Sequence, residues 1–205
     1  MTPACAAVAL AALLALAGVA AASDTTLGGA DGHPRARLPL ALAVASFGEP
    51  GLDAAAARAV ADWNTLTAEV LATPVFVPAS AERPAQVIVR VEPPGTSRLM
   101  GVTELESDGA GVIGLPVRVA VVAPRPRGEV SRELILYQVL AHELGHALGL
   151  VHVRDPASLM CCVTGSLNFD DPATRAAYIA ARRHPDVRSV RAQVTEHYRK
   201  FWRTP

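Results

Sequence analysis

Residues 142–152 read His-Glu-Leu-Gly-His-Ala-Leu-Gly-Leu-Val-His, the pattern H-E-x-x-H-x-x-G-x-x-H. That spacing admits few backbone paths. On a helix, His142 and His146 project from one face, a turn apart. His152 can join them only if the helix stops and the chain turns back. Gly149 supplies the turn, because a residue without Cβ can take the left-handed conformation that ends helices. Three neutral imidazoles converging in this way can hold one zinc ion while leaving its fourth position open. Glu143 lies beside the ligands and is placed to take a proton from a water attacking a carbonyl. A buried core helix carrying incidental histidines would account for the leucines here, but not for three histidines and a glycine at these spacings.

The surrounding residues support the helix. Leu134, Leu136, Val139, Leu140, Leu144 and Leu148 form an apolar side broad enough to be buried. Ser131 is the expected N-cap, and Glu133 in the first turn suits the positive end of the helix dipole.

Ser158-Leu159-Met160 follows His152, and a methionine turn at this distance is the second half of the metzincin pattern. The chain resembles a metzincin metalloprotease. Within that clan it is most similar to a matrixin, because residues 152–160 have the matrixin spacing from third histidine to methionine and carry an Asp155-Pro156 pair. The resemblance is specific over residues 142–160 and looser over 38–202. Three features depart from the pattern: Val153 stands where matrixins carry Ser or Thr, Cys161 and Cys162 follow the methionine, and the tyrosine that astacin-like relatives place at position 162 is absent.

The resemblance implies an α+β, zincin-like fold: a twisted mixed β-sheet of about five strands with two long helices and a C-terminal helix. It implies a zinc metalloendopeptidase acting on protein or peptide substrate. One catalytic zinc ion would be held by His142, His146 and His152, with Glu143 as general base and then proton donor to the leaving amine. Met160 would be the hydrophobic floor of the site. Substrate would add as a strand along the sheet edge, for which Leu99 to Glu106 is the best candidate, with Glu104 and Glu106 facing solvent. Beside the zinc helix, Cys161, Cys162, Val163, Leu167 and Phe169 are the substrate-pocket candidates. A wall of this composition offers no charge partner, so Leu, Met or Phe is expected there over Asp, Lys or Arg. A non-catalytic secreted binding protein that keeps the metal site is the competing class; an intact Glu143, which no metal-only relic needs, argues against it. Structural calcium or a second zinc has no support, and the family's propeptide cysteine switch has no counterpart.

Val8 to Ala22 is an uncharged Ala/Leu/Val run ending in Ala20-Ala21-Ala22, the small-x-small pattern of a signal-peptide cleavage site. Residues 1–22 are therefore expected to be a signal peptide, with a retained membrane anchor as the alternative. Residues 23–37 read as a loop-like lead-in, and 38–205 as the catalytic domain. The mature chain would be secreted or extracytoplasmic, periplasmic where the cell has an outer membrane, free of the membrane after cleavage, and monomeric. Removal of Cys5 with the signal leaves only Cys161 and Cys162. They could close a vicinal disulfide, remain as thiols or bridge to another chain; no larger disulfide framework is possible. The formal net charge is +0, and with no basic run there is no expectation of a nucleic-acid partner. His33, His184 and His197 are expected at the surface, and Arg182, Arg183 and Arg188 on a solvated face. Asp155, Asp170 and Asp171 are expected to cap turns or helices.

Strands are expected around Leu40–Val44, Val75–Val77, Val87–Val91, Gly101–Glu106 and Val117–Val121. The last two form a hairpin through Ser107–Gly111. One helix starts near Asp53 as its cap, with Ala56, Val60, Trp63, Leu66 and Val70 inward. A last helix carries Val187, Val190, Val194, Tyr198 and Phe201.

Overall fold

The computed structural model describes residues 27–93, 99–125 and 130–203; the expected signal peptide lies outside the described residues. Five strands form one sheet in the order β2-β1-β3-β5-β4, with β1 Leu40–Val44, β2 Phe76–Pro78, β3 Val87–Glu92, β4 Gly101–Glu104 and β5 Val117–Val122. Every neighbouring pair is parallel except β4 with β5, so the one antiparallel strand is an edge strand. A helix, α1 (Pro50–Leu71), connects β1 to the adjacent parallel β2, the long crossover that parallel strands require. The zinc-motif helix α2 (Arg132–Ala147) packs against α1, β5 and β4. Two more helices, α3 (Pro172–Arg183) and α4 (Arg191–Phe201), complete the chain, α4 preceded by a 3₁₀ turn over Val187–Val190. The α+β mixed sheet with two long helices and a C-terminal helix is as the resemblance implies.

Burial follows sequence alternation where helices cover one face. In β5, Val117, Val119 and Val121 are buried while Arg118 is exposed; in β3, Val87 and Val89 are buried while Arg90 is exposed. In β1 the alternation breaks, because Leu40, Ala41 and Leu42 are all buried and Val44, at the strand's end, is exposed. Trp63 is fully buried, and its indole Nε1 donates to the Ala141 carbonyl at 2.9 Å, tying α1 to α2.

Several expectations are corrected. Helix α1 begins at Pro50, not at Asp53; Asp53 lies in the first turn and reaches back to accept from the Phe47 amide and the Ser46 hydroxyl. Its buried stripe runs through Leu52, Ala55, Ala56, Ala59, Trp63, Leu66 and Leu71, with Val60 and Val70 on its margin. Helix α3 was not anticipated. Its apolar residues are mostly alanines, and its start is carried by an Asp171 cap, which accepts from the Thr174 amide, and by Pro172. The loop-like residues 27–34 are packed rather than solvent-exposed at 31–33. Gly32 bridges to Val112, Asp31 is buried, and His33, expected at the surface, is fully buried. Arg182 is buried rather than on a solvated face. Among the described residues no helix is long and apolar enough to cross a membrane.

Candidate metal centre

Helix α2 starts where the sequence places it: the Ser131 hydroxyl accepts from the Leu134 amide. Its apolar residues Leu136, Val139, Leu140 and Leu144 are buried, which orients His142 and His146 along one edge. The helix ends at Ala147, and Gly149 takes φ +89°. Gly149 is required twice over. Besides its left-handed backbone, a Cβ there would lie 2.0 Å from the Asp31 carbonyl oxygen. The turn returns the chain so that His152 faces the two helical histidines.

The three Nε2 atoms form a near-equilateral triangle: His142 to His146 3.1 Å, His142 to His152 3.1 Å, His146 to His152 3.2 Å. Tetrahedral zinc with Zn–N bonds of about 2.0–2.1 Å spaces its nitrogens about 3.3–3.4 Å apart, so this triangle fits a zinc ion. The second ring nitrogens sharpen the fit. His142 Nδ1 lies 2.8 Å from the Leu159 carbonyl and His146 Nδ1 2.7 Å from the Leu150 carbonyl. Carbonyls only accept, so both Nδ1 atoms carry the proton, and both Nε2 atoms present bare lone pairs to one point. Lone pairs this close repel unless a cation lies among them. Burial and the neighbouring imidazoles lower the proton affinity of these rings, His146 to about 4, which keeps them in the form a metal needs. The histidine triad could therefore hold a zinc ion; it is the one such cluster among the described residues.

Met160 is fully buried within a turn closed by the Cys161 amide donating to the Ser158 carbonyl. Its sulfur packs against α2 at Gly145, where a Cβ would come within 2.5 Å of Sδ. The Ser189 hydroxyl holds this turn through the Leu159 amide at 2.9 Å.

Glu143 is 3% exposed and turns away from the nitrogen triangle toward β4. The Thr103 hydroxyl donates to Glu143 Oε2 at 2.7 Å. Gly101, two residues earlier on the same strand face, leaves room for the carboxylate: a Cβ there would lie 2.6 Å from Glu143 Cγ. Burial pushes the Glu143 carboxyl up to about 7, with the Thr103 hydrogen bond opposing the shift.

Sequence reasoning missed the residues that clamp the turn after α2. His33 Nε2 donates to the Ala147 carbonyl at 2.9 Å, the Tyr198 hydroxyl to the Leu148 carbonyl at 3.0 Å, and Gln193 Nε2 to the Val151 carbonyl at 2.8 Å. Trp202 Nε1 then donates to the His33 carbonyl. Thr103 and Gly101 were likewise missed. None carries a motif signal, since each acts through a backbone group or through space.

The segment after Met160 places the pocket candidates unevenly. Cys161 is buried and joined to Cys162 as a vicinal disulfide, the first of the three fates open to the pair. Val163 and Phe169 are exposed and Leu167 is half-buried. The Phe169 ring packs edge-on against Tyr178, 5.2 Å between centroids. Arg182 lies over the Tyr178 ring and donates to the Cys161 carbonyl at 3.3 Å. The wall expected to lack charge therefore has a guanidinium behind it, because α3 folds back onto the segment.

A comparison with curated proteins gives no match. The family model described as Matrixin matches residues 51–173, a span from α1 through the edge strand, the histidine triad and Met160. That span contains the converging imidazoles, the helix-ending glycine and the methionine turn, and the chain belongs to the matrixin family of zinc metalloproteases.

Proposed function

We propose that the protein is a secreted, monomeric zinc endopeptidase that hydrolyses internal peptide bonds. The observation that carries this reading is the separation of labour at α2: three imidazole lone pairs face one point, while the adjacent Glu143 carboxylate points elsewhere, buried and oriented by Thr103. A bound zinc ion supplies a Lewis acid and lowers the pKa of its water to about 7. Glu143 accepts the proton of the attacking water and delivers it to the amine of the leaving peptide. Thr103 holds one carboxylate oxygen, Oε2, and leaves Oε1 outside that hydrogen bond. Strand β4, at the sheet edge beside Glu143, offers its free side to an extended peptide. Secretion is supported by the apolar run at residues 8–22.

The test is incubation of the purified chain with a mixed peptide library, alone, with a chelator, and with the chelator followed by excess zinc. Internal cleavage that stops on chelation and returns with zinc is expected. No cleavage in the zinc-restored sample, or cleavage indifferent to the chelator, sinks the reading.

A further inference from the structure

Arg182 is a buried cation without an anion. It is 8% exposed, its Nε is buried with no hydrogen-bond partner, and among the described residues no carboxylate pairs with it. Its contacts are neutral: the guanidinium carbon lies 4.3 Å from the centre of the Tyr178 ring, and Nη2 donates to the Cys161 carbonyl at 3.3 Å. Arginine keeps its charge in proteins, and an uncompensated buried charge is strongly unfavourable. Neither neutral contact supplies the missing counter-charge.

Its position says where that counter-charge comes from. The carbonyl it holds belongs to the residue after Met160, and the Leu159 carbonyl, two residues before Cys161, orients His142. The guanidinium is close enough to depress the proton affinity of His142. In front of it, Cys162 is half-buried, and Val163 and Phe169 are exposed. The charge thus lies behind the apolar, solvent-facing residues that follow Met160, next to the turn that orients His142.

We infer that Arg182 is a specificity-determining residue whose guanidinium receives a carboxylate of the substrate on the Met160–Val163 side of the metal centre. This rests on the peptidase reading above and names its substrate class: peptides bearing an anionic group beside the cleaved bond. The carboxylate comes either from an Asp or Glu side chain or from the peptide's C-terminus. Arginine's planar fork pairs with either in two-point fashion. Selection by a buried polar partner is steep, because a neutral isostere leaves that partner unpaired.

The test uses the zinc-loaded full chain and peptide pairs that differ only by Glu or Gln at each position around the cleaved bond, each with a free or an amidated C-terminus. The carboxylate member of at least one pair is expected to have a kcat/KM at least tenfold higher, and the amidated arm tells which source supplies it. Arg182→Met should bring that ratio close to one, and Arg182→Glu should invert it toward Lys-bearing peptides. If Arg182→Met does not fold, Arg182→Lys should lower the ratio without abolishing it. No carboxylate preference at any position, or a preference unchanged in these variants, overturns the inference. Calorimetric titration of the zinc-loaded Glu143→Ala chain with the same pairs decides the matter without turnover. The carboxylate member should bind at least tenfold more tightly, and equal binding overturns the inference. A parent chain that binds selectively yet cleaves nothing would instead count against the peptidase reading alone.

Discussion

Glu143 shows how much of a site can depend on two small neighbours. Thr103 holds one carboxylate oxygen at 2.7 Å, and Gly101 leaves the volume the side chain occupies. Because Glu143 is not one of the three converging groups, Glu143→Ala should retain close to one zinc per chain. Peptide hydrolysis should fall by the roughly 10²–10⁴-fold typical of a lost general base. Thr103→Val should also keep its zinc and lose a smaller part of the rate, with Thr103→Ser restoring most of it. Elemental analysis paired with peptide kinetics checks all three; a Glu143→Ala chain as fast as its parent would refute the assigned role. The convergence of His142, His146 and His152 was readable in the sequence because helical pitch fixes which neighbours share a face. The roles of Thr103 and Gly101 were not, since they lie some 40 residues away on a strand whose face and register only the folded sheet determines.

The zinc helix was the best-anticipated element, from its Ser131 cap to the Gly149 turn, because both ends carry residues with a local physical reason to be there. Helix α3 was the worst. Its apolar face is mostly alanine, and its burial of Tyr178 and Arg182 depends on how residues 161–169 fold against it. That miss made Arg182 look like a surface charge. The prediction that belongs to elements concerns Gly149. Gly149→Ala must place a side chain at φ +89° and against the Asp31 backbone. A left-handed non-glycine residue costs on the order of 1–3 kcal/mol, and the close approach adds to it. Thermal melting should show the zinc-free protein destabilised by at least about 2 kcal/mol, with zinc affinity reduced because His152 is displaced. Unchanged melting and affinity would show that the turn tolerates a side chain.

For the molecule as a whole, the overall architecture followed from period-two strands and period-three-to-four helices, whereas the packing of the two chain ends did not. Residues 31–33 and 193–202 meet over the end of α2, a contact that holds two imidazoles, His33 and His197, both with proton affinity lowered by burial. Burial, with Arg37 and His197 nearby, lowers His33 from an ordinary 6.5 to about 4. Its Nε2 proton goes to the Ala147 carbonyl and its Nδ1 faces the Arg37 guanidinium, so a second proton has no acceptor. On acidification the unfolded chain binds that proton first. The stabilisation is complete above about pH 6.5 and is lost as the pH falls toward 4, a total of about 3 kcal/mol. Denaturant unfolding of the parent and of His33→Gln across this range should give a stability difference that changes by about that amount. A difference that stays flat would show that His33 titrates as a free imidazole.

The clamp over the end of α2 also bears on timing. The three converging histidines lie within residues 142–152, yet the carbonyls of Leu148 and Val151 in the turn between them are bonded by Tyr198 and Gln193, and Trp202 bonds the His33 carbonyl. A chain emerging from the ribosome or a translocon presents its ligands well before the residues that lock their geometry. Competence to hold the metal therefore matures last, and a chain cut short before Gln193 would carry a complete motif on an unsecured turn.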